Sequence, residues 1–228
     1  MTPAPPPGSE SGNKNLTVKQ QRLAQRAKKL EEYHRQQKRA KRNRRIGLIG
    51  GIVAAVVVIG IVVTTVVLTP QKASYDAGSG GATVEGVETF ENGAGHVETP
   101  VTYPQTPPAG GEHHPTWLNC GVYTEQVPNE NAVHALEHGA VWVTYDPSMS
   151  SEDLDALKTK LPSTYSILSP FADIPSPIVL SAWNAQLQVD SADDPRIAEF
   201  FEEYWKSEKV PEPGALCTGG FDAPGKVT

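Results

Sequence analysis

Residues 46–68 read IGLIGGIVAAVVVIGIVVTTVVL and contain no charged side chain. As an α-helix this stretch reaches roughly 34 Å, which is enough to cross a hydrocarbon core of about 30 Å. A core helix of a soluble protein would show a polar stripe, and a signal peptide has an apolar run of only about 7–15 residues. The stretch therefore predicts one uncleaved transmembrane helix. This excludes a polytopic transporter and a cytosolic enzyme that fills the whole chain.

Charge is distributed unevenly on the two sides of this stretch. The chain has 228 residues, with 20 Lys or Arg and 26 Asp or Glu. Residues 1–45 contain 13 of the basic residues and three acidic ones, whereas residues 69–228 contain 7 basic and 23 acidic residues. Because positive charge is retained in the cytoplasm, we expect a cytoplasmic N-terminus in a cell membrane and an extracytoplasmic C-terminal part.

The basic arm, 1–45, is predicted to be disordered over its Pro/Gly/Ser-rich start, 1–15, and helical in the part that follows. Its charge favours adsorption to anionic lipids of the inner leaflet, at about 1 kcal/mol per basic residue near the surface. The alternative is a topology determinant without a ligand. No nucleic-acid partner is expected, because aromatic interleaving is missing and the outer part is acidic. The sequence names no protein partner, although it is compatible with a membrane protein complex.

The part beyond the span divides into a linker and a domain. Residues 69–95 are Gly-rich with little apolar periodicity, which predicts a flexible linker. The remaining residues, 96–228, are enough for one exported domain with its own core. Helical patterns occur at 131–138, 151–161 and 195–209, and strand patterns at 140–145, 165–168, 177–183 and 187–189. These patterns mix without a regular βαβ repeat, so we predict an α+β fold with a small mixed sheet and packed helices.

The chain has two cysteines, Cys120 and Cys217, and both lie in the part predicted to face the oxidising exterior. A disulfide between them is the favoured interpretation. The chain-entropy model assigns such a long loop about 4–5 kcal/mol of stabilisation. The alternative is that Cys120 remains a thiolate and binds a metal ion together with nearby histidines.

Five of the six histidines fall between positions 96 and 138, around Cys120. His134 and His138 are spaced i, i+4, which places both side chains on one face of a helix. We expect this to be the polar face, because Ala132, Val133 and Leu136 fall on the opposite side. A solvated polar face without a ligand is the alternative interpretation.

The loop that precedes this helix contains His113 and His114 after the run PPAGGE. Its glycines permit tight turns, and its prolines limit the entropy lost on ordering. We predict that the loop brings both rings toward His134 and His138, which gives a metal site of three or four ligands. His96, with Glu112 or Glu137, is predicted as a further ligand or as a hydrogen-bond partner of a ligand.

Imidazole ligands suit copper or zinc, and the chain has only two methionines, which disfavours a methionine-rich Cu(I) carrier. A metal-handling or accessory role is the leading hypothesis. The second is a structural or interaction module in which the histidines form a hydrogen-bond network. The third is a zinc hydrolase, because residues 134–138 match H-x-x-E-H, in which Glu137 would be the catalytic base. A non-enzymatic function is favoured, and no other catalytic residue is predicted.

The runs YPQTPPAGGEHHPTWLNCGVY, at 103–123, and ENAVHALEHGAVWVTYDP, at 130–147, resemble a bacterial family known as domain of unknown function 3105. The resemblance covers about 96–217. It implies a basic arm, one span and an exported domain that groups His113, His114, Cys120, His134 and His138. It implies no activity, so the metal hypothesis rests on spacing alone.

Overall fold

The computed structural model describes residues 18–68, 72–78 and 83–227. The chain divides into two compact units, Met1–Thr69 and Pro70–Thr228. The predicted disordered segment, 1–15, lies outside the described residues.

In the first unit, a single helix, α1, runs from Val18 to Leu68. It joins the predicted helical part of the basic arm to the predicted span without a break, and no proline interrupts it. Its most apolar window has a mean hydropathy of 3.0. Among the described residues it is the one helix that is long and apolar enough to cross a membrane. The hydroxyl of Thr64 donates to the carbonyl of Gly60 at 2.6 Å, which satisfies a polar group within the apolar segment.

In the second unit, the described residues, 72–78 and 83–227, form a six-stranded mixed sheet, a two-stranded sheet and three helices. The strands are β1 (Glu88–Thr89), β2 (Ala94–His96), β3 (Gly111–His113), β4 (Gly121–Val122), β5 (Val141–Tyr145), β6 (Ser166–Pro170), β7 (Ile178–Ala182) and β8 (Ala185–Val189). The helices are α2 (Asn129–Glu137), α3 (Ser151–Thr159) and α4 (Arg196–Tyr204). The large sheet has the order β1-β8-β7-β5-β6-β4, and β2 pairs with β3 in parallel. The predicted α+β class is confirmed.

Helices cover both faces of the large sheet. Val141 and Val143 of β5 belong to the core that includes Phe200 and Phe201 of α4. Trp142, between them, belongs to the second core, which includes Leu136 of α2. Successive strand residues point to opposite faces, so a central strand covered on both faces has no solvent-exposed position. This explains why β5 is buried throughout and does not alternate in sequence.

The ordered structure begins earlier than the predicted domain boundary at residue 96. The stretch predicted as a flexible linker, 69–95, contains β1 and part of β2. Tyr75 also stacks on Phe201, with ring centroids 5.0 Å apart, and its hydroxyl donates to the carbonyl of Lys160 at 2.7 Å. Strands of two or three residues show no measurable periodicity, so they depend on partner strands that the local sequence does not reveal.

The disulfide between Cys120 and Cys217 is present. The two Cα atoms lie 5.4 Å apart, and the residues are separated by 97 positions in sequence. The backbone N–H of Cys120 also donates to the carbonyl of Cys217 at 2.8 Å. The favoured interpretation is therefore confirmed, and the alternative of Cys120 as a thiolate ligand is wrong. The bond attaches the C-terminal segment to the start of the domain.

Candidate metal centre

Two short strands and one helix bring the histidines together. Parallel pairing of β2 and β3 places His96 beside His113. Helix α2 packs against β3 and contributes His134, Glu137 and, as its C-terminal cap, His138. The rings of His96, His113 and His138 each have centroids within 4.9 Å of the His134 ring. His134 is therefore the centre of the cluster.

Four side chains form the first donor group: His96, His113, His134 and Glu137. Their candidate donor atoms all lie within 4.8 Å of one another. Zn–N bonds are about 2.0–2.1 Å long, so two ligands on opposite sides of an ion are separated by about 4 Å. The donor atoms are thus close to coordination spacing. Three imidazoles and one carboxylate are a ligand set that suits zinc or copper.

The hydrogen bonds of the rings determine which nitrogen is available. Nδ1 of His113 contacts the carbonyl of Gly111 at 2.8 Å, and Nδ1 of His134 contacts the carbonyl of His114 at 2.6 Å. Because a carbonyl oxygen only accepts, each Nδ1 must donate, and the lone pair of a neutral ring is then on Nε2. This arrangement is the usual one for metal-binding histidines, whose second nitrogen donates to a carbonyl or carboxylate.

The contact between His113 and Glu137 requires a proton or a metal ion between the two side chains, because both of the atoms that face each other are acceptors. Nε2 of His113 lies 2.9 Å from Oε2 of Glu137, and Nε2 of His96 lies 3.8 Å from the same oxygen. His113 is fully buried, and Glu137 is 4% exposed. With Nδ1 of His113 already donating, a lone pair and a carboxylate oxygen face each other unless a proton or a metal ion lies between them. Burial makes an uncompensated carboxylate costly, which strengthens this requirement.

The protonation of His134 favours the metal-binding form. Burial lowers the pKa of His134 to about 4, and the nearby rings of His138, His113 and His96 act in the same direction. The imidazole is therefore neutral near pH 7, as a metal ligand must be. His134 has its Nε2 lone pair free at the centre of the cluster without first losing a proton.

A second donor group consists of His134, His138 and Glu212, whose candidate donor atoms also lie within 4.8 Å of one another. Nδ1 of His138 contacts the carbonyl of Leu216 at 2.8 Å, so its lone pair is on Nε2 by the same argument. That nitrogen lies 3.2 Å from Oε2 of Glu212. The two groups share His134.

The family described as "Protein of unknown function (DUF3105)" matches residues 96–219, which is more than half of the chain. The chain belongs to this family. No curated protein and no solved structure shows significant similarity to it. The matched DUF3105 region contains both donor groups and both cysteines, and it begins at His96.

Within the DUF3105 region, the histidine pair of α2 does not lie on a solvated face. His134 and His138 are 4% and 2% exposed, and the second half of α2 is buried on all sides. Trp117 packs beside both rings, with centroid distances of 5.8 and 5.1 Å. The expectation of a polar face at α2 is therefore wrong, because segments distant in sequence cover it.

The adjacent histidines His113 and His114 have opposite roles. The backbone N–H of Thr116 donates to Nδ1 of His114 at 3.0 Å. In a neutral ring the proton of His114 must then be on Nε2, so this side chain lacks the Nε2 lone pair that His113 has. The structure brings His114 into neither donor group, although its carbonyl orients His134. Glu112 is exposed and also belongs to neither group.

Glu212 was not among the residues predicted from sequence. It is held by its own backbone N–H, which donates to the carbonyl of Glu137 at 3.2 Å. Its position far downstream of the histidines removes any local spacing signal. The disulfide, which attaches the 212–217 segment near the histidine loop, is the one sequence feature that points to this region.

Gly139 ends α2 directly after the site. Its φ is +91°, and a Cβ at this position would lie 3.1 Å from the Cα of Lys206. Only glycine adopts this backbone conformation without strain. The turn allows β5 to begin at Val141, so the donors of α2 are attached directly to a central strand of the sheet.

Proposed function

We propose that the outer domain binds one transition metal ion, copper or zinc, in a metal-handling or accessory role. The observation that carries this proposal is the first donor group: His96, His113, His134 and Glu137 converge within 4.8 Å. In His113 and His134 the Nδ1 contacts place the lone pair of the neutral ring on Nε2. A resident ion would also separate the acceptors of His113 and Glu137. These residues would hold the ion as neutral imidazole and carboxylate ligands.

A structural hydrogen-bond network is the second candidate. The specific observation in its favour is the contact of 2.9 Å between His113 and Glu137, in which a proton can take the place of an ion. The two candidates differ in one measurable respect. A network needs no metal for its stability, whereas a metal site binds one equivalent and depends on each Nε2 lone pair.

The hydrolase hypothesis assigns Glu137 the role of catalytic base, whereas its contacts support the role of a metal ligand or of a partner of a ligand. The carboxylate is engaged with His113 and lies within the ligand group of the first site. A catalytic base must instead reach a water molecule or substrate at an open coordination position. We therefore propose Glu137 as a ligand or as a partner of a ligand.

A direct test compares the neighbours His113 and His114. In the purified full chain, titrated with Co²⁺ as a spectroscopic probe, we expect one equivalent of tight binding. His113→Ala is expected to weaken binding by at least about 100-fold because a buried ligand is lost. His114→Ala is the matched control and should retain binding within a few-fold, because only its backbone carbonyl supports the site. Equal affinity of both variants, or no binding by the unmodified protein, would contradict the proposal.

We further propose that α1 anchors this domain on the extracytoplasmic side of a cell membrane. The length and composition of α1 and the basic residues before its apolar part support this placement. Alkaline phosphatase fused after residue 228 is expected to be active, since this reporter folds only outside the cytoplasm.

A charge variant tests the cause of that orientation. Replacing the five basic residues nearest the N-terminal end of the span with glutamine should reduce the reporter signal: Arg39, Lys41, Arg42, Arg44 and Arg45. The matched control replaces five basic residues that are more distant and should retain the signal: Lys19, Arg22, Arg26, Lys28 and Lys29. Orientation is set mainly by the charges nearest a span, and the control leaves those charges unchanged. An inactive fusion of the unmodified chain would contradict the proposed placement.

A further inference from the structure

The second donor group has an exposed carboxylate, whereas the exposed member of the first group is an imidazole. The side chain of Glu212 is 48% exposed. His138, its partner, forms part of a surface groove that is also lined by Tyr165, Lys206 and Glu208. Solvent therefore reaches one carboxylate ligand of the second group directly. In the first group, the one exposed member is His96, whose side chain is 45% exposed.

The two groups cannot hold complete ligand sets at the same time, because both require His134. Nδ1 of His134 contacts the carbonyl of His114 at 2.6 Å, so Nε2 carries its one available lone pair. One lone pair binds one ion. An ion in this cluster is therefore held by His134 together with the first group, or by His134 together with His138 and Glu212.

We propose that His138 and Glu212, together with His134, form an exchange position at which a divalent transition metal ion enters and leaves the buried position. This inference rests on the proposed metal-binding function. The exposed carboxylate of Glu212 attracts and first binds the cation, and His138 adds an imidazole ligand. His134 then binds the ion and keeps it while His113 and Glu137 replace Glu212 and His138. The ion keeps one ligand throughout and exchanges the others stepwise.

The charges around the groove are compatible with this route. Glu208 and Glu212 contribute negative charge, which raises the local concentration of cations. The one cation among the groove-lining residues is Lys206, whose ammonium group lies over the rings of Tyr165 and Trp205, at 4.8 and 4.6 Å from their centroids. These contacts hold Lys206 against aromatic surface.

The experiment measures the kinetics of Co²⁺ binding to the full chain by stopped-flow absorption. We expect Glu212→Gln to slow both association and dissociation about tenfold, with unchanged affinity and one ion per chain. Affinity is unchanged because the first donor group keeps all its ligands. Loss of the exchange position slows association and dissociation by the same factor. Glu208→Gln is the matched control, since it removes one carboxylate charge from the groove that His138 lines but leaves both donor groups intact. Its rates should change far less than those of Glu212→Gln, because Glu208 belongs to neither donor group.

Each other outcome overturns the inference in a distinct way. If Glu212→Gln and Glu208→Gln have equal rates, the ion enters by another route, such as the exposed His96. If Glu212→Gln binds more weakly only because dissociation is faster, Glu212 is a resident ligand. Two ions bound per chain would contradict the shared ligand. If the unmodified chain binds no Co²⁺, the proposed function fails together with this inference.

Discussion

Replacing Cys120 and Cys217 with alanine is expected to lower the free energy of unfolding of the C-terminal domain by about 4–5 kcal/mol. The bond joins residues separated by 97 positions, and a cross-link that closes such a long loop removes much of the entropy of the unfolded chain. All four tryptophans lie between positions 117 and 205, so denaturant unfolding followed by tryptophan fluorescence reports on this domain and not on α1.

Reduction of the unmodified chain provides the matched control for this variant. Both treatments remove the cross-link, but only the variant also changes side-chain volume at the half-buried Cys120 and the buried Cys217. Agreement between the two values within about 1 kcal/mol would assign the loss to the cross-link. Unfolding of the double variant at the same denaturant concentration as the oxidised protein would contradict the prediction.

The disulfide also shows how far sequence reasoning extends in this chain. Two cysteines in a domain that is predicted to be exported leave one intramolecular pairing, so the bond was predictable from the count and the predicted location. The sequence did not predict which segment the bond would position at the histidines. It holds the 212–217 segment, which supplies the carbonyl of Leu216 to His138 and the carboxylate of Glu212 to the second donor group.

Sequence spacing predicted which histidines lie close together only for residues that are near one another in the chain. The i, i+4 pair His134 and His138 lies on one helix, and the structure brings both rings together. The difference between His113 and His114 depends on the backbone groups that Gly111 and Thr116 present to the two rings. Such hydrogen bonds arise from the folded loop, so residue type and spacing do not distinguish the two histidines.

The helical pattern predicted the wrong solvent exposure for His134 and His138. A helical wheel describes one helix against water, and it placed His134 and His138 on its polar side. In the folded domain, Trp117 and the carbonyls of His114 and Leu216 surround these rings. Buried polar groups are acceptable when each is hydrogen-bonded, and here each Nδ1 has a carbonyl partner. The result is a preorganised cluster around a neutral His134 in place of a solvated face.

If the cluster binds metal, the bound ion should stabilise the folded domain against unfolding. At a free Zn²⁺ concentration about 100 times the dissociation constant, linkage predicts a gain of about 2.7 kcal/mol in the free energy of unfolding. His134→Gln is expected to abolish this gain, because His134 is the one ligand that both donor groups share. His113→Ala, by contrast, leaves the second group complete. Tryptophan fluorescence with and without Zn²⁺ measures the gain separately for each variant.

His114→Gln is the matched control for this measurement, and it should retain the gain of the unmodified chain. Because the comparison is made within each variant, any change that a substitution causes in the metal-free stability cancels. A gain that persists in His134→Gln would place Zn²⁺ outside the cluster. Absence of a gain in the unmodified chain at saturating Zn²⁺ would favour the hydrogen-bond network. In that case the proton between His113 and Glu137 would already provide the positive charge that their two acceptors require.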